Sequence, residues 1–300
     1  MQPGGEFPAE VREKLQATLG GDVAAANVQT AKQSGLLVLL LGAVPDNFFS
    51  AAADNRNMLQ VVFVAVLLGI GIIQVNSQST QPFLGFFQGL NDVVIRLVEL
   101  IMRMAPLGVF GLMAGTLNTI AGDNLQHVRD LLAAMGTYFV AVVLSLALHV
   151  VITYIPILKI WTPLSARAFF SGFAPAQLVA FSTSSSGATL PVTMKCCENN
   201  LGISKEISAF VLPLGATVNM DGTAIFQGVA TLFIAQAYGI PMGFESQLVI
   251  VVTAVLASIG TAAVPGAGVV MLLIILEAVG VPSAGIALIL GVDRLLDMLR

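Results

Sequence analysis

Ser182-Thr183-Ser184-Ser185-Ser186-Gly187-Ala188-Thr189-Leu190-Pro191 interrupts an apolar stretch, and Ser258-Ile259-Gly260-Thr261-Ala262-Ala263-Val264-Pro265-Gly266-Ala267-Gly268 interrupts another. The arms beside them, such as Ala168 to Phe181, Leu248 to Leu256 and Val269 to Leu276, are too apolar for water. They are also shorter than the roughly 20 residues that a spanning helix needs. A tip of small residues between two short apolar arms suits a re-entrant helical hairpin. Its backbone N–H and C=O groups must find partners at membrane depth without a full helix. Small side chains let those groups come close to an ion or a ligand. Two Gly/Ser loops outside the membrane are the plainer reading, and the apolar arms argue against it.

Working outward, each tip is followed by a second arm and then by a helical run that contains an acid. Pro191 precedes Asp221 by 30 residues and Pro265 precedes Asp293 by 28, which indicates a structural repeat. Secondary transporters place discontinuous segments of this kind at the bilayer midplane, where helix N-termini favour anions and unwound carbonyls hold cations.

Composition agrees. Of 300 residues, 56% are hydrophobic and 10% are charged, against about 25% charged in a typical soluble domain. The mean hydropathy is +0.90. A soluble enzyme and a disordered chain are excluded. A nucleic-acid binder needs a basic face, and the net charge here is −4. Long continuous apolar runs rather than alternation argue against an outer-membrane barrel. A multi-span, all-α membrane protein remains.

The first half is plainer. Residues 1–34 form a polar N-terminal segment with Glu6, Glu10, Arg12, Glu13 and Lys14. No signal-peptide core opens it. Gly35 to Val44 is a short apolar run closed by Pro45. Met58 to Val75 is long enough to span. A polar stretch from Asn76 is closed by Pro82, and the next run extends from near Val93 to near Ile120. Arg96, Glu99 and Arg103 share one face of it, an interfacial stripe. Leu131 to Leu158 spans, and Lys159, Trp161 and Arg167 mark the interface after it. Cys196 and Cys197 read as small apolar fillers, because adjacent cysteines rarely pair and two ligands do not make a zinc site. His127 and His149 are isolated, and each reads as a loop residue or a packed helix residue rather than a catalytic base.

The acids carry the chemistry. An unpaired carboxylate inside a bilayer costs roughly 2.5–3.5 kcal/mol even on the lenient insertion scale. Asp293, Asp297 and Arg300 fall at i, i+4 and i+7, on one helical face. They make either an internal salt bridge or a polar site for a zwitterionic or anionic solute. An Arg fork suits a carboxylate, and an Asp one turn away suits an ammonium. Asn219 and Asp221 offer hard oxygens, and a helix break there frees carbonyls for Na⁺.

The serine tip ending at Pro191, the Asn-Met-Asp-Gly-Thr of 219–223, the second tip of 258–268 and the Asp-Arg-Leu-Leu-Asp-Met-Leu-Arg of 293–300 together resemble the glutamate transporter family, the dicarboxylate/amino acid:cation symporters. The four ordered motifs cover most of 180–300, and the chain from about Pro45 resembles the scaffold helices more loosely. The resemblance implies an elevator-type transporter in a homotrimer and no enzymatic activity. Residues 35–125 would supply scaffold helices. Residues 126–300 would form the transport domain: a sixth helix, hairpin 1 at about 165–200, a broken helix at about 205–238, hairpin 2 at about 247–281 and the start of the last helix at 284–300.

By motif position the resemblance assigns Ser184, Ser185, Ser186, Thr223, Val264, Gly268, Asp297 and Arg300 to substrate. Asp297 would take the amino group and Arg300 the side-chain carboxylate, with Thr223 supporting Arg300. The tip from Val264 to Gly268 would act as the gate. Gly215, Thr217, Asn219, Met220, Asp221, Ser258, Ile259 and Thr261 match sodium positions, mostly through carbonyls, and Asp293 matches a supporting acid. Gln227 stands where animal members carry a proton-accepting Glu, which implies a prokaryotic, sodium-coupled member without proton exchange. No cofactor is implied beyond Na⁺ as coupling ion. The expected partners are an acidic amino acid, the lipid bilayer and two further copies of the chain, with no nucleic acid. The expected location is the plasma membrane, the inner membrane in a bacterium, as a multi-pass protein.

The family's first three helices have no counterpart here, and the last helix stops at Arg300, so the chain is expected to be truncated at both ends. The expected function is sodium-coupled symport of aspartate or glutamate. The alternatives are a dicarboxylate or neutral amino acid symporter of the same fold, or an inactive fragment. An intramembrane aspartyl protease using Asp221 and Asp293 fits less well: Leu290-Gly291-Val292-Asp293 lacks the expected Gly-x-Gly-Asp, and the two tips would go unexplained.

Overall fold

A computed structural model describes residues 44–53, 58–75, 77–104, 107–108, 110–111, 114–115, 125–259, 261 and 263–300. The polar segment expected at 1–34 and nearly all of the apolar run 35–44 lie outside them. Among the described residues every regular element is helical.

The first three helices are α1 (Phe48–Ala53), α2 (Met58–Gln74) and α3 (Ser77–Met102). Asn47 starts α1 by accepting the Phe49 and Ser50 N–H groups on its side-chain oxygen, at 2.9 and 3.3 Å. The polar stretch before Pro82 was expected to separate two runs, and instead it forms the first turns of α3. Pro82 is the sixth residue of that helix. Its missing N–H forfeits one backbone bond close to the helix start, where the loss is small enough for the helix to continue. Arg96 is exposed on α3 and Arg103 is exposed just beyond its end, while the Glu99 side chain lies outside the described residues.

Helix α4 (Leu125–His149) runs through a single π-helical stretch, Val150–Tyr154, into α5 (Ile155–Trp161). Residues Val128–Trp161, 34 in all and with an 18-residue window of mean hydropathy 2.3, are long and apolar enough to cross a membrane. Large side chains such as Ile152, Ile160 and Trp161 project outward from this rod. In a soluble protein that surface would aggregate; against lipid it is the expected face.

Two helical hairpins follow the pattern of the two tips. The first pairs α6 (Ala166–Thr183) with α7 (Ser186–Leu201). Ser165 caps α6 by accepting the Ala168 N–H at 3.2 Å. The turn is only Ser184–Ser185, much shorter than the loop expected to run to Pro191. Ser185 accounts for the difference: its hydroxyl oxygen accepts the Ala188 N–H at 3.1 Å and starts α7 at once. Pro191 then falls inside α7, again at its sixth residue. At the base of the hairpin, the Asn200 amide donates to the Gly172 carbonyl at 2.7 Å. At 18 and 16 residues, the two arms are about 27 and 24 Å long, short of a roughly 30 Å hydrocarbon core. The second hairpin pairs α10 (Phe244–Ile259) with α11 (Ala267–Ala278). At 16 and 12 residues its arms are shorter still, about 24 and 18 Å.

Between the hairpins lie α8 (Lys205–Val218) and α9 (Asp221–Ala237), divided at Asn219–Met220. Neither break residue has helical backbone angles. Lys205–Ala237 is the second stretch long and apolar enough to span, with an 18-residue window of mean hydropathy 1.3. After hairpin 2 the chain takes a 3-10 turn, Ser283–Leu288, before α12 (Leu290–Leu299). A continuous helix was expected from 284. Gly285 lies so close to α9 that a Cβ there would fall 2.3 Å from the Ile234 side chain, and the tighter turn accommodates that approach.

The core sits around α9. Phe226, Gln227, Ala230, Thr231, Phe233, Ile234, Ala235 and Ala237 are all fully buried. Helix α4 covers one side of α9, with Tyr138 stacked on Phe233 at 4.8 Å between centroids. Both arms of hairpin 2 cover another side, and α12 packs on α4 and α6. The alanines along α9 let backbones approach closely, which is how helices gain packing energy where lipid supplies little hydrophobic drive.

Candidate functional site

Backbone chemistry places the site at the point where four helix ends meet. The two hairpin tips, the α8–α9 break and the end of α12 enclose a cavity of about 420 Å³. Ser184, Ser185 and Ser186 line it from the first tip, Val264 and Gly268 from the second. Thr223 lines it from α9, Asp297 and Arg300 from α12. All eight residues expected at substrate therefore face one space.

Its electrostatics centre on α12. Arg300 Nη2 donates to Asp297 Oδ1 at 2.6 Å, and Nη1 lies 3.6 Å from Asp293 Oδ1. These side chains are 4%, 7% and 11% exposed, so a carboxylate pair and a guanidinium are held together almost without water. The arginine is also centred 4.1 Å over the Phe226 ring. Gly268 makes the arrangement fit: a Cβ there would lie 2.8 Å from Arg300 Nη2. Gly222 does the same for the backbone, where a Cβ would meet the Arg300 carbonyl oxygen at 2.6 Å.

Both tips are tied into this centre. Ser185 Oγ donates to the Ala263 carbonyl at 2.8 Å, and the Gly187 N–H donates to the same oxygen at 3.1 Å. The Gly266 N–H donates to Asp297 Oδ2 at 2.9 Å. Gly266 is in the left-handed region, φ 77°, which aims its amide at the acid. Ser184 is the one non-glycine with positive φ among the described residues, at 54°. Its hydroxyl is buried with no hydrogen-bond partner, and so is Arg300 Nη1. A buried donor left unpaired costs about 1–3 kcal/mol, so the cavity wall holds recognition capacity that the protein itself does not use.

The expected sodium residues divide into two groups. Asn219, Met220, Asp221 and Thr261 line the cavity; Gly215, Thr217, Ser258 and Ile259 lie outside its lining. The Gly215 carbonyl accepts the Asn219 N–H at 2.9 Å, and the Met220 carbonyl accepts the N–H groups of Thr223 and Ala224 at 3.0 and 3.1 Å. The hydroxyls of Thr217, Ser258 and Thr261 donate to carbonyls of their own segments at 3.0, 2.8 and 2.8 Å. The three hydroxyl oxygens and the Gly215 carbonyl keep a lone pair for a hard cation, whereas the Met220 carbonyl already accepts two N–H groups. Among the described residues no group of three or more His, Cys, Asp or Glu gathers as a transition-metal site would require. Gln227 is fully buried, donates from Nε2 to the Gly268 carbonyl at 3.1 Å and leaves Oε1 without a partner.

Three partners escaped the sequence reading. Phe226 under Arg300 looked like one more apolar residue of α9. Ala263 enters through its backbone carbonyl, which no side-chain pattern reveals. His149, expected to be an isolated loop or packed helix residue, lies with Nε2 2.5 Å from Asp221 Oδ2, and the Tyr154 hydroxyl donates to that same oxygen. An imidazole within a run otherwise fit to face lipid was the available signal, since polar groups there need partners.

A family model for the sodium:dicarboxylate symporter family matches residues 1–300. An excitatory amino acid transporter of Caenorhabditis elegans is 38% identical over 247 residues, 82% of this chain and 48% of the relative. Human excitatory amino acid transporter 2 is 40% identical over 247 residues, covering 82% and 42%. The neutral amino acid transporter B(0) of Rattus norvegicus is 40% identical over 243 residues, covering 81% and 43%. The chain thus spans about half the length of the curated relatives it matches.

Proposed function

Since this chain belongs to the sodium:dicarboxylate symporter family, a family of membrane transporters and not of enzymes, we propose that it carries an acidic amino acid, aspartate or glutamate, together with Na⁺. The observation that carries this reading is the pairing of buried Asp297 with buried Arg300 beside two hairpin tips. An α-amino acid with an acidic side chain offers an ammonium for Asp297 and a second carboxylate for the planar guanidinium. A plain dicarboxylate would leave Asp297 facing a like charge, and a neutral amino acid would leave Arg300 buried and unanswered. Relatives of similar identity carry names of both excitatory and neutral amino acid transporters, so overall identity does not select the substrate, whereas the charge at 300 does.

Binding would proceed by exchange. The substrate ammonium replaces Arg300 as the partner of Asp297, and the freed guanidinium turns its fork to the side-chain carboxylate. The unpaired Ser184 hydroxyl and the backbone amides of the tips meet the α-carboxylate. Na⁺ would be taken by Asn219, Asp221 and nearby carbonyl oxygens at the helix break, hard ligands suited to it. Residues 126–300 act as the moving transport unit and 35–125 as part of the scaffold. Assembly as a homotrimer, an elevator movement, location in the plasma membrane and a longer parent protein complete the proposal, on the strength of the family resemblance and the two-hairpin organisation.

The test is uptake of radiolabelled aspartate into proteoliposomes, with an inward Na⁺ gradient and with choline in its place. It uses this chain and a version extended at both ends to the length of its relatives. Na⁺-dependent uptake, competed by glutamate and not by alanine, is the expected result. Uptake by the extended protein that is indifferent to Na⁺ overturns the proposal.

A further inference from the structure

The π-helical stretch Val150–Tyr154 does work that an α-helix would not do. Tyr154 lies five positions after His149. In a regular α-helix at 3.6 residues per turn, such a pair stands about 140° apart around the axis. The i→i+5 repeat of a π turn brings residues five apart onto one face. His149 and Tyr154 accordingly meet edge to face, with centroids 5.0 Å apart. From there both reach Asp221, 72 and 67 residues further along the chain. Both contacts fall on a single carboxylate oxygen, Oδ2. The His149 ring is itself oriented: Thr153 Oγ1, from the same π turn, lies 3.3 Å from Nδ1. A threonine hydroxyl donating to Nδ1 leaves the Nε2 proton facing the acid.

The other oxygen, Oδ1, has no hydrogen-bond partner among the described residues. It is absent from the buried unpaired atoms, the Asp221 side chain is 31% exposed, and Asp221 lines the central cavity. The carboxylate is therefore clamped on one side and open on the other. It begins α9, directly after the two non-helical residues Asn219 and Met220.

We propose that His149 and Tyr154 are positioning residues that fix the rotamer of Asp221, so that it offers one carboxylate oxygen, Oδ1, to the coupling Na⁺. This inference rests on the sodium-coupled reading above and deepens it. Two donors on Oδ2 hold the side chain before the ion arrives. The ordering cost is met during folding rather than during binding, which raises affinity without adding a ligand. One oxygen in a fixed place also sets the distance at which a cation must sit. A loosened carboxylate would swing to grip larger or smaller ions with both oxygens.

The experiment is calorimetric titration of the purified chain in lipid nanodiscs with NaCl, without substrate and with choline chloride as control. The variants are Tyr154→Phe, His149→Gln and His149→Leu. Tyr154→Phe is expected to raise the Na⁺ dissociation constant about tenfold, the loss expected for one hydrogen bond to a charged group. His149→Leu should do the same, and His149→Gln should recover most of the loss because its amide can donate to Oδ2. Discrimination of Na⁺ from Li⁺ should narrow in Tyr154→Phe, a change that a merely structural contact would not cause. Unchanged or tighter Na⁺ binding in Tyr154→Phe and His149→Leu overturns the clamp. So does weaker Na⁺ binding with unchanged Na⁺/Li⁺ discrimination, because that marks a merely structural contact. A parental chain that binds no Na⁺ sinks the sodium-coupled reading itself and the clamp with it. A parental chain that binds Na⁺ beside unaffected variants sinks the clamp alone.

Discussion

Arg300 and Asp297 occupy each other: the guanidinium donates to the carboxylate at 2.6 Å, one turn apart on α12. The two groups best suited to the two ends of an acidic amino acid are therefore paired with each other. Each answers the other's buried charge, and a solute carrying both an ammonium and a carboxylate would have to compete for both partners at once.

Replacing Arg300 by Cys removes the carboxylate partner and frees Asp297 for an ammonium. Aspartate affinity should fall about tenfold to a hundredfold, the range for losing a charge-assisted hydrogen bond. Uptake of a small neutral amino acid such as serine should appear. Competition uptake assays in proteoliposomes measure both. Unchanged aspartate affinity would refute the assigned role.

Gly268→Ala should weaken substrate binding by about tenfold, because the new methyl would lie 2.8 Å from Arg300 Nη2 and push the fork out of place. Gly228→Ala is the matched control. It meets nothing within 4 Å and should stabilise α9 by up to about 1 kcal/mol through helix propensity. Equal KM values for the two variants would contradict the close approach.

Ser185→Ala removes the hydroxyl that both caps α7 and holds the Ala263 carbonyl. The lost cap should cost about 1 kcal/mol, and the second tip should part from the first more often. A cysteine introduced at Val264 reports this by maleimide labelling. The native Cys196 and Cys197 are buried and give little background. Faster labelling in the Ser185→Ala background is expected, and an unchanged rate would show that the tip contact has no part in closure.

Gly285→Ala tests packing rather than chemistry. A Cβ 2.3 Å from the Ile234 methyl and 2.9 Å from the Tyr238 ring forces the 3-10 turn off α9. Overpacking of this kind costs about 1–3 kcal/mol. The melting temperature in detergent should drop by several degrees, with wild-type substrate affinity retained in the folded fraction.

How far the sequence revealed all this follows from what each feature looks like in one dimension. The tips at 182–191 and 258–268 stood out because small residues and prolines cluster inside apolar surroundings. Asp293, Asp297 and Arg300 could be placed on one face by helical spacing alone. The length of the first turn was overestimated, since Pro191 reads as a breaker although Ser185 had already started the helix. The π turn was invisible because Val150 to Tyr154 has the same apolar composition in either geometry. With that turn unseen, His149 could not be connected to Asp221. The Phe226–Arg300 stack was hidden in the same way, by a side chain whose apolar character already had an explanation.

Helix α9 holds most of the fully buried residues around which the core packs, whereas the hairpin arms and α5 turn large residues outward. Tolerance to substitution should therefore be lopsided along this chain. A saturation library would accept almost any lipid-soluble residue at Ile160 or Phe244 and almost none but the original at Phe226, Ala230 or Ile234. The helix that begins with Asp221 is also the one whose sequence has the least freedom to wander.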